Sequence, residues 1–512
     1  MSDLTTMSLD LLLGVTRTAI EQSDFDGAER ALREVTRRRP RDAEAAATLS
    51  KILLAKGSRR DALAAARRAV GLSPRSARVQ TALGDALAAM GQIDACVRAY
   101  RAALAADPEN PELMVALAAA LERRRCDVES IAMAEGALRI NPAFGPALTL
   151  LGQGAMQRGD LAEADRWLSR AIAESPPEAK AQAWHLLGAV REAEHRWDEA
   201  FQCHDRGNRV TLASPAARHM LAIDPCELLP HQFLPGSEPM LERWGDRTFR
   251  SGPPDPVFLV GFPRSGTTMM ENVLGALPGT LTTDEEPVSS AAFGMAVAMC
   301  GNPTPAEFPG ALDRLSHEQI AELRAEYWRS MATMVSPDAL QAPLVVDKSP
   351  LRFLQALLLN LLFPQSRMIF VVRDPRDCCL SCFFQNFVIS PSLVRFTTLE
   401  TTGDMYASSM TFWMRARNRL TMPLLEIRYE DMVADFELHA RRLVEFIGRE
   451  WSDDVLRFHE KASGRAIRTP SYRAVTQKIN TRAVGKWAHY EKHLGPLIER
   501  VRPFLEPLGY AE

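Results

Sequence analysis

Hydrophobic and polar positions divide the chain into two halves with different periods. In the first, small apolar residues recur at helical spacing and the punctuation is regular. Prolines fall at Pro40, Pro74, Pro108, Pro142 and Pro176, each 34 residues after the last. Glycines keep the same step at Gly57, Gly91 and Gly159, with Arg125 interrupting the series. Five positions after those glycines stand Ala62, Cys96 and Ala164, and Ala28 holds that place in the first unit. Leu-Gly pairs recur at Leu83-Gly84, Leu151-Gly152 and Leu187-Gly188. Small residues let two antiparallel helices approach closely, and a proline ends the second of them. In the second half the period changes. Short apolar runs bounded by turn residues, "PVFLVG" at 256–261, "LVVD" at 344–347, "RMIFVV" at 367–372 and "LLEIRY" at 424–429, alternate with helical stretches. Runs of that length and composition predict buried parallel strands, and the alternation predicts an α/β domain.

A period of 34 with a small residue in each helix and a closing proline is the tetratricopeptide (TPR) signature, an all-α solenoid. We assign about six repeats to residues 1–210. The sixth, Lys180 to Val210, has drifted, as terminal units that cap a stack do. Such a solenoid offers a concave face to a protein or peptide partner and does no chemistry itself; the alternative is that it stabilises its neighbour or pairs two copies as a homodimer. Prolines then cluster through 211–251, read as a connector. A second, α/β domain is expected over 252–512.

Composition narrows the class. At 512 residues the chain is too long for one ordinary core. Its formal net charge of -3 is no footprint of a nucleic-acid binder. No apolar run is long enough to cross a bilayer. The start, MSDLTTMSLDLLLGVTRTAI, lacks a basic region before its apolar patch and reads as a first helix, so a cytoplasmic protein with no membrane partner is expected. Eight cysteines in so long a chain are not a disulfide framework. Cys379 and Cys382, with Cys378 beside them, form a lone C-x-x-C without the second ligand pair a zinc site needs, and read as small residues on a buried helix. No metal is expected.

The chemistry gathers at strand ends. "GFPRSGTT", Gly261 to Thr268, keeps the glycine spacing of a Walker A loop through Gly261 and Gly266, but Thr267 stands where the lysine belongs. Strand, glycine loop and helix N-terminus is still the arrangement that binds phosphate through backbone N–H groups. A second cluster, "VVRDPRDCCLS", sets Arg373 at a strand end and Ser381 two helical turns on, able to grip one phosphate together.

The ordered pair P-R-S-G-T-T and V-R-D-P-R-D-x-x-x-S resembles the sulfotransferases, closest to the protein-tyrosine sulfotransferase branch, and the resemblance covers roughly 252–512. It implies a P-loop-like fold and a donor, 3′-phosphoadenosine-5′-phosphosulfate, which has no triphosphate tail and needs no magnesium. The missing lysine is then dispensable. The resemblance assigns Arg264, Ser265, Gly266, Thr267 and Thr268 to the 5′-phosphosulfate, and Arg373 and Ser381 to the 3′-phosphate. In "TTDEEPVSS" it aligns Asp284 and Glu285 with the family's acidic pair and makes Glu285 the base, with Glu286 the rival. It gives Lys348 of "VVDKSP" to the leaving group. Tyr429 of "IRYED", Ser471 of "TPSYRAV" and Lys486 of "GKW" match donor contacts. Two departures stand out. Thr283 replaces a family cysteine, and Gln385 replaces a basic residue near the nucleotide. The expected reaction is sulfuryl transfer to a hydroxyl, protein tyrosine among the acceptors, by in-line displacement. The competing readings are a P-loop kinase or NTPase, with "LVVD" as a Walker B strand, and a non-catalytic TPR scaffold with a degenerate second domain.

Overall fold

The 34-residue units fold as antiparallel helix pairs. The computed structural model describes residues 4, 6–22, 24–124, 126–249, 252–459 and 481–511. They divide into two compact units, Met1–Ala216 and Ala217–Glu512. In the first unit the pairs are Leu9–Glu21 with Phe25–Arg38, Ala43–Ala55 with Arg59–Leu72, and Ala77–Ala89 with Ile93–Ala106. They continue as Pro111–Arg123 with Asp127–Ile140, Gly145–Arg158 with Leu161–Glu174, and Ala181–Ala193 with Trp197–Ala213. Each in-phase proline lies two residues past the last residue of a second helix. The periodic small residues do what close packing requires: Ala28, Ala62, Cys96 and Ala164 are fully buried. A Cβ on Gly152 would come within 2.6 Å of Leu168 Cγ, so the Leu-Gly glycine is the notch into which the facing helix fits. Asp24, Asp42, Ser76, Asn110 and Asp160 cap helices by accepting backbone N–H bonds. Apolar clusters run from pair to pair, one of them joining Leu63, Leu87, Tyr100 and Leu121.

The segment after residue 211 carries short helices joined by turns. The last repeat helix runs to Ala213, and Pro215–Leu221 and Glu238–Gly245 follow. Within the second unit Trp244 is fully buried and its indole N–H donates to Asp313 at 2.9 Å, while Arg415 donates to the Leu229 carbonyl at 2.7 Å.

The second unit is built on a five-stranded parallel sheet in the order β2-β3-β1-β4-β5. The strands are β1 Val257–Gly261, β2 Thr280–Thr282, β3 Leu344–Lys348, β4 Met368–Val372 and β5 Leu424–Arg428. β1 is central, Val257 opposite Val346 of β3 and Leu259 opposite Ile369 of β4. β1, β3 and β4 are buried along their whole length, whereas edge strand β5 alternates. Alternate residues feed two cores. Val257, Leu259, Val346, Ile369 and Ile427 meet Met270, Val273 and Leu443 on one face. On the other, Phe370 stacks on Trp413 with ring centroids 3.9 Å apart, and Phe258 meets Phe363 at 5.8 Å. No helix among the described residues is long and apolar enough to cross a membrane.

Candidate active site

Parallel strands all point their carboxyl ends one way, and ligands of such sheets sit there. In this domain every strand delivers a group to that edge. β1 leads into the loop Phe262–Gly266, β2 into the turn carrying Glu285, β3 ends on Lys348, β4 is followed by Arg373, and β5 by Tyr429. The loop, Glu285, Arg373 and Tyr429 face a cavity of about 880 Å³, which Ser349 lines at the end of β3. Arg264, Gly266, Thr267, Thr268, Glu285, Arg373, Ser381, Tyr429 and Lys486 all line it.

The first loop is shaped by its glycines. Gly261 has φ 156° and a Cβ there would lie 2.6 Å from the Val371 carbonyl oxygen. Gly266 has φ 105°, and a Cβ would lie 2.5 Å from Tyr429 Cδ2. Both positions exclude a side chain. Between them Arg264 is left-handed at φ 70°, a strained state for a residue with a Cβ. Helix Thr267–Gly275 begins directly behind, so its first N–H groups face the cavity edge.

The two anion clusters adjoin. Arg264 Nε donates to Ser381 Oγ at 3.0 Å, and Arg373 Nη1 donates to the Arg264 carbonyl at 2.8 Å. Arg373 also lies over the Tyr429 ring, 4.9 Å from its centroid. Burial lowers the Arg264 pKa, a cost that a bound anion would offset. Arg373 Nε and Ser265 Oγ are buried with no hydrogen-bond partner among the described residues. Buried donors left open beside a glycine cradle suit a phosphate-bearing ligand.

The acidic turn is held from below. Asp284 and Glu285 both have positive φ, 48° and 66°. The Glu285 N–H donates to the Lys348 carbonyl at 3.0 Å, and Arg352 Nη2 donates to the Glu286 carbonyl at 2.7 Å. Glu285 keeps 39% of its side chain exposed and lines the cavity; Glu286 is buried. Lys348 is 0% exposed, and its Nζ donates to Glu285 Oε1 at 2.8 Å. It therefore stands behind Glu285 rather than on the cavity wall. Burial works to lower the Lys348 pKa, but Glu271 and Glu285 outweigh it and the net shift is upward.

Across the cavity, Gly485 N–H and Trp487 N–H donate to the Asp377 carboxylate at 2.7 and 2.8 Å. Arg376 stacks on Trp487 at 3.9 Å, and Arg373 donates to the Ala483 carbonyl. These contacts seat Lys486 at the cavity. Ser471 lies outside the described residues. Gln385 is not among the residues lining the cavity, and Arg482 is. Cys378, Cys379 and Cys382 are buried free thiols on helix Pro375–Phe383. No group of three metal-binding side chains gathers among the described residues.

Several contributors are not evident from sequence. Asp347, the proposed Walker B acid, is fully buried and accepts from Tyr327 Oη at 2.8 Å, with Arg352 at 3.1 Å. Glu271 sits on the helix behind the first loop, 3.0 Å from Lys348 Nζ. Only the charge in the apolar stretch "MMENVLG" hints at it.

A parallel α/β sheet with a glycine phosphate loop after its central strand, and anion donors at the neighbouring strand ends, defines a phosphate-loop α/β domain. Residues 256–453 match the sulfotransferase family, and residues 19–85 and 77–120 match tetratricopeptide repeats. The chain thus carries a sulfotransferase-family domain behind TPR repeats. An uncharacterized protein of Aquifex aeolicus is 26% identical over 331 residues, 63% of this chain and 42% of its own length. Protein-tyrosine sulfotransferase 2 of Gallus gallus is 24% identical over 270 residues, 50% of this chain and 69% of its own. Protein-tyrosine sulfotransferase A of Caenorhabditis elegans is 24% identical over 272 residues, 50% and 67%. The chain spans under half the length of the Aquifex relative.

Proposed function

We propose that the protein transfers a sulfuryl group from 3′-phosphoadenosine-5′-phosphosulfate to a hydroxyl acceptor. The observation that carries this is the Glu285–Lys348 pair, 2.8 Å apart, at the edge of a cavity whose other polar wall is Arg264, Arg373 and Ser381. The donor would supply the sulfuryl group and a phosphate leaving group. Gly266, Thr267 and Thr268 with Arg264 would hold its 5′ end, and Arg373 and Ser381 its 3′-phosphate. Tyr429 and Lys486, and Ser471 from outside the described residues, complete the contacts. Arg482, which lines the cavity, would supply the donor contact for which the family uses a basic residue at the position of Gln385. Glu285 takes the acceptor's proton as that oxygen bonds to sulfur, and the bond from sulfur to the bridging oxygen breaks. The electron pair stays on the phosphate oxygen, where Lys348 offsets the growing charge. No lysine reaches from the loop and Asp347 is committed to Tyr327 and Arg352, so a magnesium nucleotide triphosphatase is disfavoured.

The decisive experiment is calorimetry with 3′-phosphoadenosine-5′-phosphate in the absence of metal. We expect binding at least about tenfold tighter than for the analogue lacking the 3′-phosphate, since a charge-assisted contact is worth about 1.5–3 kcal/mol. Arg373→Ala should erase the difference. Equal affinity for both nucleotides in the wild-type protein would discard the reading. The repeats are proposed to recruit a polypeptide bearing the acceptor hydroxyl, because stacked repeats present long surfaces suited to extended chains.

A further inference from the structure

Glu271 is a buried charge to which the reaction above gives no part. Its neighbours Met270, Val273 and Leu274 belong to the core, yet its own carboxylate reaches two functional elements. Glu271 Oε2 lies 3.0 Å from Lys348 Nζ, and its Oε1 accepts the Asp284 N–H at 3.0 Å. One side chain thus ties the helix behind the phosphate loop to the end of β3 and to the turn carrying Glu285. Two consecutive non-glycine residues at positive φ, Asp284 and Glu285, are strained and persist only where the surroundings over-determine them. The bond to Asp284 N–H is one such constraint.

An ammonium has three N–H groups. Glu285 and Glu271 are within ion-pair reach of Lys348 Nζ. A buried cation is tolerated only when paired, and losing one partner of such a group is costly. The charged groups around Nζ are Glu271 from the loop helix and Asp284 and Glu285 from the turn. Asp347, next along β3, faces Tyr327 and Arg352 instead.

We propose that Glu271 is a positioning residue for the transfer step, its single carboxylate fixing both the Lys348 ammonium and the Asp284 backbone that aims Glu285. The proposal rests on the sulfuryl-transfer reading. When Glu285 takes the acceptor's proton it becomes neutral and its hold on Nζ weakens. Glu271 remains the anion that keeps the ammonium charged, and the released N–H turns to the leaving phosphate oxygen. Proton arrival at the base and cation delivery to the leaving group are thereby coupled.

The test compares the full-length wild type with Glu271→Gln and Glu271→Asp. In Glu271→Gln we expect kcat to fall about 10–100-fold, as for small misplacements of reacting groups. Affinity for 3′-phosphoadenosine-5′-phosphate should stay within about twofold of wild type, because the donor contacts are elsewhere. Glu271→Asp should recover part of the rate. The alkaline limb of the rate profile should move down by about 1–3 pH units, the effect of removing an opposite charge near an ammonium. Unchanged kcat in Glu271→Gln, or equal losses of rate and nucleotide affinity in both variants, overturns the assignment. A second readout needs no activity: the 13Cε resonance of Lys348, identified by its loss in Lys348→Arg, followed through pH. Titration at lower pH in Glu271→Gln than in wild type supports the positioning role, and coincident titrations refute it. If the wild type transfers nothing from the donor, the sulfuryl reading fails, while this titration still decides the part of Glu271.

Discussion

Adjacent glutamates at the site have unlike surroundings. Glu285 opens to the cavity and touches Lys348, whereas Glu286 is buried and its own backbone carbonyl accepts from Arg352. Glu285→Gln preserves size and hydrogen bonding but cannot take a proton. Its turnover should fall by roughly 10²–10⁴ with nucleotide affinity little changed. Glu286→Gln should keep the rate within an order of magnitude. Steady-state kinetics with a phenol acceptor checks both, and an inactive Glu286→Gln beside a normal Glu285→Gln would transfer the base to Glu286. The residue scale is also where sequence and structure part company. Arg373 stands out on sequence because it directly follows an apolar strand, while Arg264 and Lys348 are reached through the family resemblance. Glu271 does not stand out, because a single acid among Met, Val and Leu has the look of a helix's wet side. Its role comes from β3 and the turn after β2 closing around it, contacts made across 77 and 13 residues of chain, the separations of Lys348 and Asp284.

At the scale of elements, local rules decide more. The 34-residue helix pairs follow from period, caps and prolines, all short-range signals. β1, β3 and β4 follow from continuous apolar runs. β2 does not, because Thr280–Thr282 is three residues long and only half-buried, and becomes a strand only by pairing with β3. The first repeat carries a pH dependence of its own. Glu34 accepts from Arg37 and Arg38, and Arg38 reaches back to the Leu4 carbonyl. Hydrogen bonds from Arg37 and then Arg38 pull the Glu34 pKa from 4.5 to about 2. A carboxylate depressed in the folded state adds stability above its unfolded pKa and loses it as pH falls through the folded one. The melting-temperature gap between wild type and Glu34→Gln should therefore be widest above about pH 5 and close towards pH 2. Calorimetric scans across that range measure it, and a gap independent of pH would show that the ion pairs contribute nothing.

At the scale of the molecule, the second unit's core reaches upstream of its family match. Trp244 and Leu241 are buried there. A fragment beginning at Ala217 should bind 3′-phosphoadenosine-5′-phosphate as the full chain does. One beginning at Pro253 should lose stability on the scale of a deleted core tryptophan, about 3–5 kcal/mol, and unfold at lower denaturant. With the longer fragment, small phenols should be sulfated at full rate and a protein acceptor poorly at low concentration. Equal losses for both acceptors would discard recruitment by the repeats. The proline register has a further consequence, for how such a chain can change in length. The second helices of the first five repeats close at the same phase, so gain or loss of a whole 34-residue segment among them by recombination brings equivalent surfaces face to face. The five-stranded half has no such freedom, because each strand end supplies a different group to one site. Descendants of this gene are free to lengthen or shorten their reach in whole steps while their chemistry stays fixed in size.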